Sequence, residues 1–121
     1  MNILLVEPDV VMAKLYGNYL EQAGHTVRIA HDGQIAIEMV DDKPPELIIL
    51  ELLLGIHNGI EFLHELRSYP DLSACRVVIH SLMSSDQLQR YQPQWRLFAV
   101  EAALAKSETS LKQLLDAVEN A

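Results

Sequence analysis

Four side chains suited to polar chemistry each stand directly after a short apolar run. They are Glu7 after ILLV, Glu51 after LIIL, Ser81 after VVIH and Lys106 after AALA. The carboxylates are hard-oxygen acceptors able to face a cation, whereas the hydroxyl and the ammonium can read a negative charge. Asp9 adds a third carboxylate just beyond Glu7, with Pro8 between them. A second set, His57, Cys75 and His80, has the ligand types of a transition-metal site. Its spacing matches no standard zinc pattern, and His80 should point away from Ser81 in an extended strand. Both histidines are therefore expected to be structural or solvent-facing, and Cys75 to be a half-buried small apolar residue ahead of a strand.

Short apolar runs alternating with longer amphipathic stretches must position these groups. Ile3 to Val6 is too short for a helix and is β-prone. Asp9 can cap the next segment, where Met12, Leu15, Tyr16, Tyr19 and Ala23 recur at helical spacing before Gly24 ends it. His25 to Ala30 alternates like a strand. Gly33 opens a second helix with Ile35, Ala36, Met39 and Val40 on one side, stopped by Pro44 and Pro45. Leu47 to Leu50 is a strand apolar on both faces, followed by a loop with Gly55, Asn58 and Gly59. The third helix gathers Ile60, Leu63 and Leu66 and ends before Tyr69 and Pro70. Arg76 to Ser81 is the fourth strand; Ser84, Ser85 and Asp86 can cap a fourth helix that fails by Pro93. A fifth strand falls around Ala102 to Ala105, and the last helix carries Leu111, Leu114, Leu115 and Val118, with Ser107 or Thr109 as its cap. Trp95 and Phe98 could form an exposed anchor for a partner or fold back over the fourth helix, and core packing is the expectation. Glu61, Glu65, Asp116 and Glu119 read as solvated helix faces.

Five strand–helix pairs predict an α/β fold, a five-stranded parallel sheet covered by helices on both faces. Two-sided coverage explains why the strands are apolar runs. Functional groups in such sheets lie beyond the carboxyl ends of the strands, where Glu7, Glu51, Ser81 and Lys106 fall. The length of 121 residues suits one domain spanning 1–121, and a hydrophobic share of 50% supplies its core. A net charge of −8 argues against binding nucleic acid or anionic membranes. The start MNILLVEPDV lacks a signal-peptide pattern, no apolar run nears the roughly 20 residues of a membrane span, and one cysteine excludes an internal disulfide. A cytoplasmic protein is expected.

The segments LLVEPD, PELIILELLLGIHNGIEFLHELR, VVIHS and LAK, in this order, resemble the landmarks of the two-component response-regulator receiver domain over nearly the whole chain. The resemblance implies a flavodoxin-like, receiver-type (βα)5 fold. It implies a signalling rather than enzymatic role, with a histidine kinase, an output domain or another signalling protein as partner, and with pairing of two copies as an option. It also implies site roles: an acidic pair after the first strand helps hold Mg²⁺, and an aspartate after the third accepts a phosphoryl group. A hydroxyl after the fourth strand and a lysine after the fifth contact the phosphate.

This chain departs from that pattern at several positions. The acidic pocket keeps Glu7, but Pro8 replaces its second acid, and Asp9 lies one residue too late and serves as a cap. The phosphoacceptor position holds Glu51. Gly55, Asn58, Leu82, Ser107 and Ala103 replace a proline, an acid, a small residue, a second proline and a mobile aromatic. Ser81 and Lys106 survive as phosphate-contact positions, and the stretch between them is a few residues long. The residual metal ligands would be Glu7, Glu51 and the backbone of Leu53, so Mg²⁺ is expected to bind weakly or not at all. Lengthening Asp to Glu moves the carboxylate by about 1.5 Å, and displacement of that order can cost about 10²-fold in rate. Phosphorylation-independent protein interaction is therefore the expected function. Conventional phosphate acceptance by Glu51 or Asp9, and a flavodoxin-like small-molecule binder, are the alternatives. Glu51 either meets Lys106 and Ser81 as a partial phosphoryl mimic or forms a relic ion pair with Lys106.

Overall fold

The computed structural model describes residues 1–55 and 58–121, so His57 lies outside the described residues. In chain order the elements are β1 (Asn2–Val6), α1 (Val10–Gln22), β2 (Thr26–Ala30), α2 (Gly33–Asp42), β3 (Leu47–Leu50) and α3 (Gly59–Ser68). There follow β4 (Arg76–Ser81), α4 (Ser85–Arg90), α5 (Gln92–Leu97), β5 (Val100–Ala105) and α6 (Leu111–Glu119). The strands form one parallel sheet in the order β2-β1-β3-β4-β5, the expected flavodoxin-like arrangement. The order reverses between β1 and β3, so a crevice opens beyond their carboxyl ends.

Strand alternation divides the core in two. Leu4, Val6, Ile48, Leu50, Val77 and Ile79 point to the face covered by α2, α3, α4 and α5. Ile3, Leu5, Leu47, Ile49 and Val78 point to the face covered by α1 and α6. The three inner strands β1, β3 and β4 are thus buried on both sides, as their apolar runs require, whereas the edge strands β2 and β5 are only partly covered. Among the described residues no helix is long and apolar enough to cross a membrane.

Local signals set most element ends. Asp9 accepts from the Met12 N–H at 2.9 Å, and Gly24 takes φ 98° just past the end of α1. Asn58 caps α3 by accepting from the Glu61 N–H at 2.9 Å. Gly59 is required sterically, because a Cβ there would lie 2.6 Å from the Leu52 Cα.

Several expectations need correction. The inward face of α1 is Ala13, Tyr16, Gly17 and Leu20, leaving Leu15 47% exposed, and Ile35 of α2 also faces out. Leu15 sits one position off the stripe at Tyr16, and Ile35 one position off the stripe at Ala36. The cap of α6 is Ser110, not Ser107 or Thr109, in a reciprocal capping box with Gln113. Pro93 does more than end a helix. It lies in the first turn of α5, where its missing N–H costs nothing. The longer stretch after Ser81 is thereby used as a second helix. Its Trp95 indole donates to the Leu88 carbonyl at 2.8 Å, and Trp95 and Phe98 are buried as expected. The chain then turns at Ala99, φ 54°, and β5 starts earlier than Ala102, with a register shift against β4 that passes over Glu101. Cys75 is fully buried rather than half-buried.

Candidate functional site

The sheet delivers the four strand-end side chains to one place. The Glu7 N–H donates to the Ala30 carbonyl at 2.9 Å and the Glu51 N–H to the Val6 carbonyl at 3.0 Å, so sheet pairing extends into the site itself. Glu7, Glu51 and Ser81 are each no more than 2% exposed. Lys106 reaches in from the end of β5 and donates to Glu7 Oε1 at 2.5 Å and to Glu51 Oε1 at 2.9 Å. One largely covered ammonium is therefore shared by two buried carboxylates.

The remaining oxygens are also occupied. Glu51 Oε1 accepts from the Leu82 N–H at 2.9 Å, and Oε2 accepts from the Leu53 N–H at 3.1 Å. Glu7 Oε2 accepts from the Asp9 N–H at 3.0 Å. Ser81 Oγ accepts from the Met83 N–H at 3.1 Å. Burial by itself would raise the Glu51 pKa, but hydrogen bonds from Ser81, Lys106, Leu53 and Leu82 outweigh it and hold the carboxyl below its usual range. For Lys106 burial pulls down, yet bonds and attraction to Glu7 and Glu51 leave its pKa raised. Both partners are thus held charged.

This donor arrangement bears directly on Mg²⁺. The ion needs several hard oxygens in near-octahedral array. Glu7 and Glu51 instead turn one oxygen each onto Lys106 and the other onto a backbone N–H, and Leu53 meets Glu51 through its N–H. Asp9 remains the cap of α1 and makes no bond to Lys106. The two carboxylates converge on the Lys106 ammonium, and no group of three metal-ligating side chains occurs among the described residues.

Tyr16 is a site neighbour that sequence reasoning placed only in a helix face. It is 6% exposed, its ring centroid lies 6.0 Å from Lys106 Nζ, and it meets the His80 ring edge-on at 4.9 Å. A tyrosine on an inward stripe two turns beyond a capping aspartate was the available signal, since a buried phenol favours a polar neighbour. His80 is buried, not solvent-facing. Burial, reinforced by Lys106 and opposed by Glu51, lowers its pKa to about 4. The backbone donors of Leu53 and Leu82 left no signal in residue type. Above the site an open cleft of about 460 Å³ is walled by Pro8, Met12, Tyr16 and Leu82, with Glu7 and Lys106 on its floor.

Comparison with known proteins places these features in context. Residues 3–119 match the family model described as response regulator receiver domain. Transcriptional regulatory protein CpxR of Klebsiella pneumoniae is 38% identical over 65 residues, which is 54% of this chain and 28% of that protein. Probable transcriptional regulator ycf29 of Porphyra purpurea is 32% identical over 92 residues, which is 74% of this chain and 44% of that protein. The chain therefore spans less than half the length of these curated relatives. A sensor protein from Polaromonas sp. JS666 shares the fold, with a TM-score of 0.87 at 23% identity over 98% of this chain and 93% of that one.

Proposed function

The chain belongs to the response regulator receiver domain family, and on that premise we propose that residues 1–121 form an atypical receiver that signals by binding another protein without being phosphorylated. The observation that carries this reading is the state of Glu51. Its carboxylate already collects Lys106, the Leu53 and Leu82 N–H groups and the influence of Ser81, a donor set suited to an anion. A phosphoryl group would need those same donors. The carboxylate acts as a built-in, partial substitute, with one charge where a phosphoryl group brings roughly −1.5 to −2. No ligand is then required to shift the domain between conformations, and the domain carries out no reaction of its own.

Pro8 and Glu51 bear on the same chemistry, because one removes a metal ligand and the other displaces the acceptor. The partner under this reading is a kinase, an output domain or another signalling protein. Incubation with acetyl phosphate and Mg²⁺ followed by intact mass measurement is expected to show no phosphoryl adduct. A stoichiometric adduct on Glu51 or Asp9 would establish the conventional reading instead. The mimic has its own test. Glu51→Ala is expected to shift the backbone amide resonances of Ser81, Leu82 and Met83, and unchanged resonances there would reduce Glu51 to a relic ion pair.

A further inference from the structure

Four of the nine large apolar side chains exposed among the described residues stand where the site opens. Val10 is 65% exposed, Val11 75%, Leu53 53% and Leu82 71%, and each follows the carboxyl end of β1, β3 or β4. Leu53 and Leu82 are tied to one another through the same Glu51 carboxylate. Exposed aliphatics gathered around an open cleft mark an interaction surface. The cleft itself has apolar walls over a charged floor, where two carboxylates surround one ammonium and leave one formal negative charge. At its mouth stands Asp9, exposed, with one carboxylate oxygen used as a helix cap and no partner for the other among the described residues.

We infer that this end of the sheet docks a protein partner through an arginine, flanked by apolar side chains, inserted into the cleft toward Asp9. The inference rests on the reading that the chain signals by binding a protein. Charge complementarity selects a cation, and the walls select an organic one. Both Glu7 oxygens are engaged and Asp9 has one to spare, too few hard oxygens for a metal, whereas Pro8, Met12 and Leu82 suit the alkyl stem of a long basic side chain. Apolar walls favour a guanidinium over an ammonium, because it is planar and more weakly hydrated and can pair with a carboxylate through two N–H groups. Lys106 does not repel it strongly, because its own charge is engaged by Glu7 and Glu51. Val10, Val11, Leu53 and Leu82 then meet the flanking apolar side chains.

The test uses the full chain, without phosphodonor and with chelator present. It uses two blocked amphipathic peptides with leucines at helical spacing, identical except for a central arginine or norleucine. Amide resonances of the protein are followed during titration. The arginine peptide is expected to shift Val10, Val11, Leu53 and Leu82 and to bind about tenfold more tightly than the norleucine peptide. Asp9→Asn, which keeps an equally good cap, is expected to erase that difference, and Leu82→Asp to weaken both peptides. Equal binding of the two peptides, or shifts centred on Tyr91 and Leu97, would overturn the inference. So would concentration-dependent shifts at the same residues without peptide, which would make the occupant a second copy, and so would absence of binding at about millimolar peptide. The phosphoryl mass measurement is separate, so failure of the docking surface and failure of the phosphorylation-independent reading are distinguished.

Discussion

The Lys106 ammonium and the Glu51 carboxylate, 55 residues apart in the chain, lie 2.9 Å apart beneath the carboxyl end of the sheet, and both are largely withdrawn from water. Because Glu7 shares the same ammonium, Lys106 bridges two carboxylates that would otherwise repel each other in a low-dielectric setting. Lys106→Met is therefore expected to destabilise the fold by about 3–5 kcal/mol, the usual cost of leaving buried charge without its partner. Urea unfolding midpoints measure it. Adding Glu51→Gln to that variant should recover part of the loss, and an additive double variant would mean that the two groups do not interact.

The pH dependence follows from His80. Its pKa in the fold is about 4 against a usual 6.5, so the unfolded chain takes up this proton first. The stabilisation is complete above 6.5 and is lost as pH falls toward 4, reaching about 3 kcal/mol at most. Glu51, also depressed, adds a loss that begins only near its ordinary 4.5. Stability measured from about pH 7 to pH 5 should fall in the native protein and stay nearly flat in His80→Phe. Parallel profiles would remove His80 from this account.

Gly59 tests how tightly the site is braced from below. A Cβ there meets the Leu52 backbone at 2.6 Å and the Glu51 carbonyl at 3.1 Å, so neither neighbour can yield by a side-chain rotation. Gly59→Ala is expected to cost about 1–3 kcal/mol and to perturb the amides of Leu52 and Leu53. Thermal unfolding together with an amide spectrum would check both effects. A variant of native stability would mean that the α3 start shifts freely.

Restoring the acids asks what the scaffold can still support. Pro8→Asp with Glu51→Asp returns a hard-oxygen ligand to the cleft and shortens the carboxylate that now reaches Lys106. The double variant is expected to bind Mg²⁺ at least about tenfold more tightly than the native chain by calorimetry. Equal, negligible binding by both would assign the remaining obstacle to Gly55, Leu82 and Ser107.

Much of the architecture is written locally. Asp9, Asn58 and Ser84 cap the helices they precede, Gly24 closes α1, and continuous runs such as LIIL fit only strands buried on both sides. Where Leu15 and Ile35 suggested a wider stripe, the inward faces instead took Ala13, Tyr16, Gly17 and Leu20 on α1 and Gly33, Ala36 and Val40 on α2. Hydrophobicity alone does not single out the small residues among them. Pro93 misled for a related reason, since a proline that ends one helix is equally suited to open another.

From the sequence alone came the element order, and with it the delivery of Glu7, Glu51, Ser81 and Lys106 to one end of a parallel sheet. Alternating periodicities and caps are short-range properties, so residue spacing is enough to read them. Only the tertiary structure decided which atoms met. The order β2-β1-β3-β4-β5 sets β1, β3 and β4 side by side and brings Lys106 over from β5, so one ammonium falls between two carboxylates and two backbone N–H groups turn toward Glu51. The same packing sealed His80 against Tyr16. Such contacts depend on distances between residues far apart in the chain, and backbone donors carry no mark of residue type.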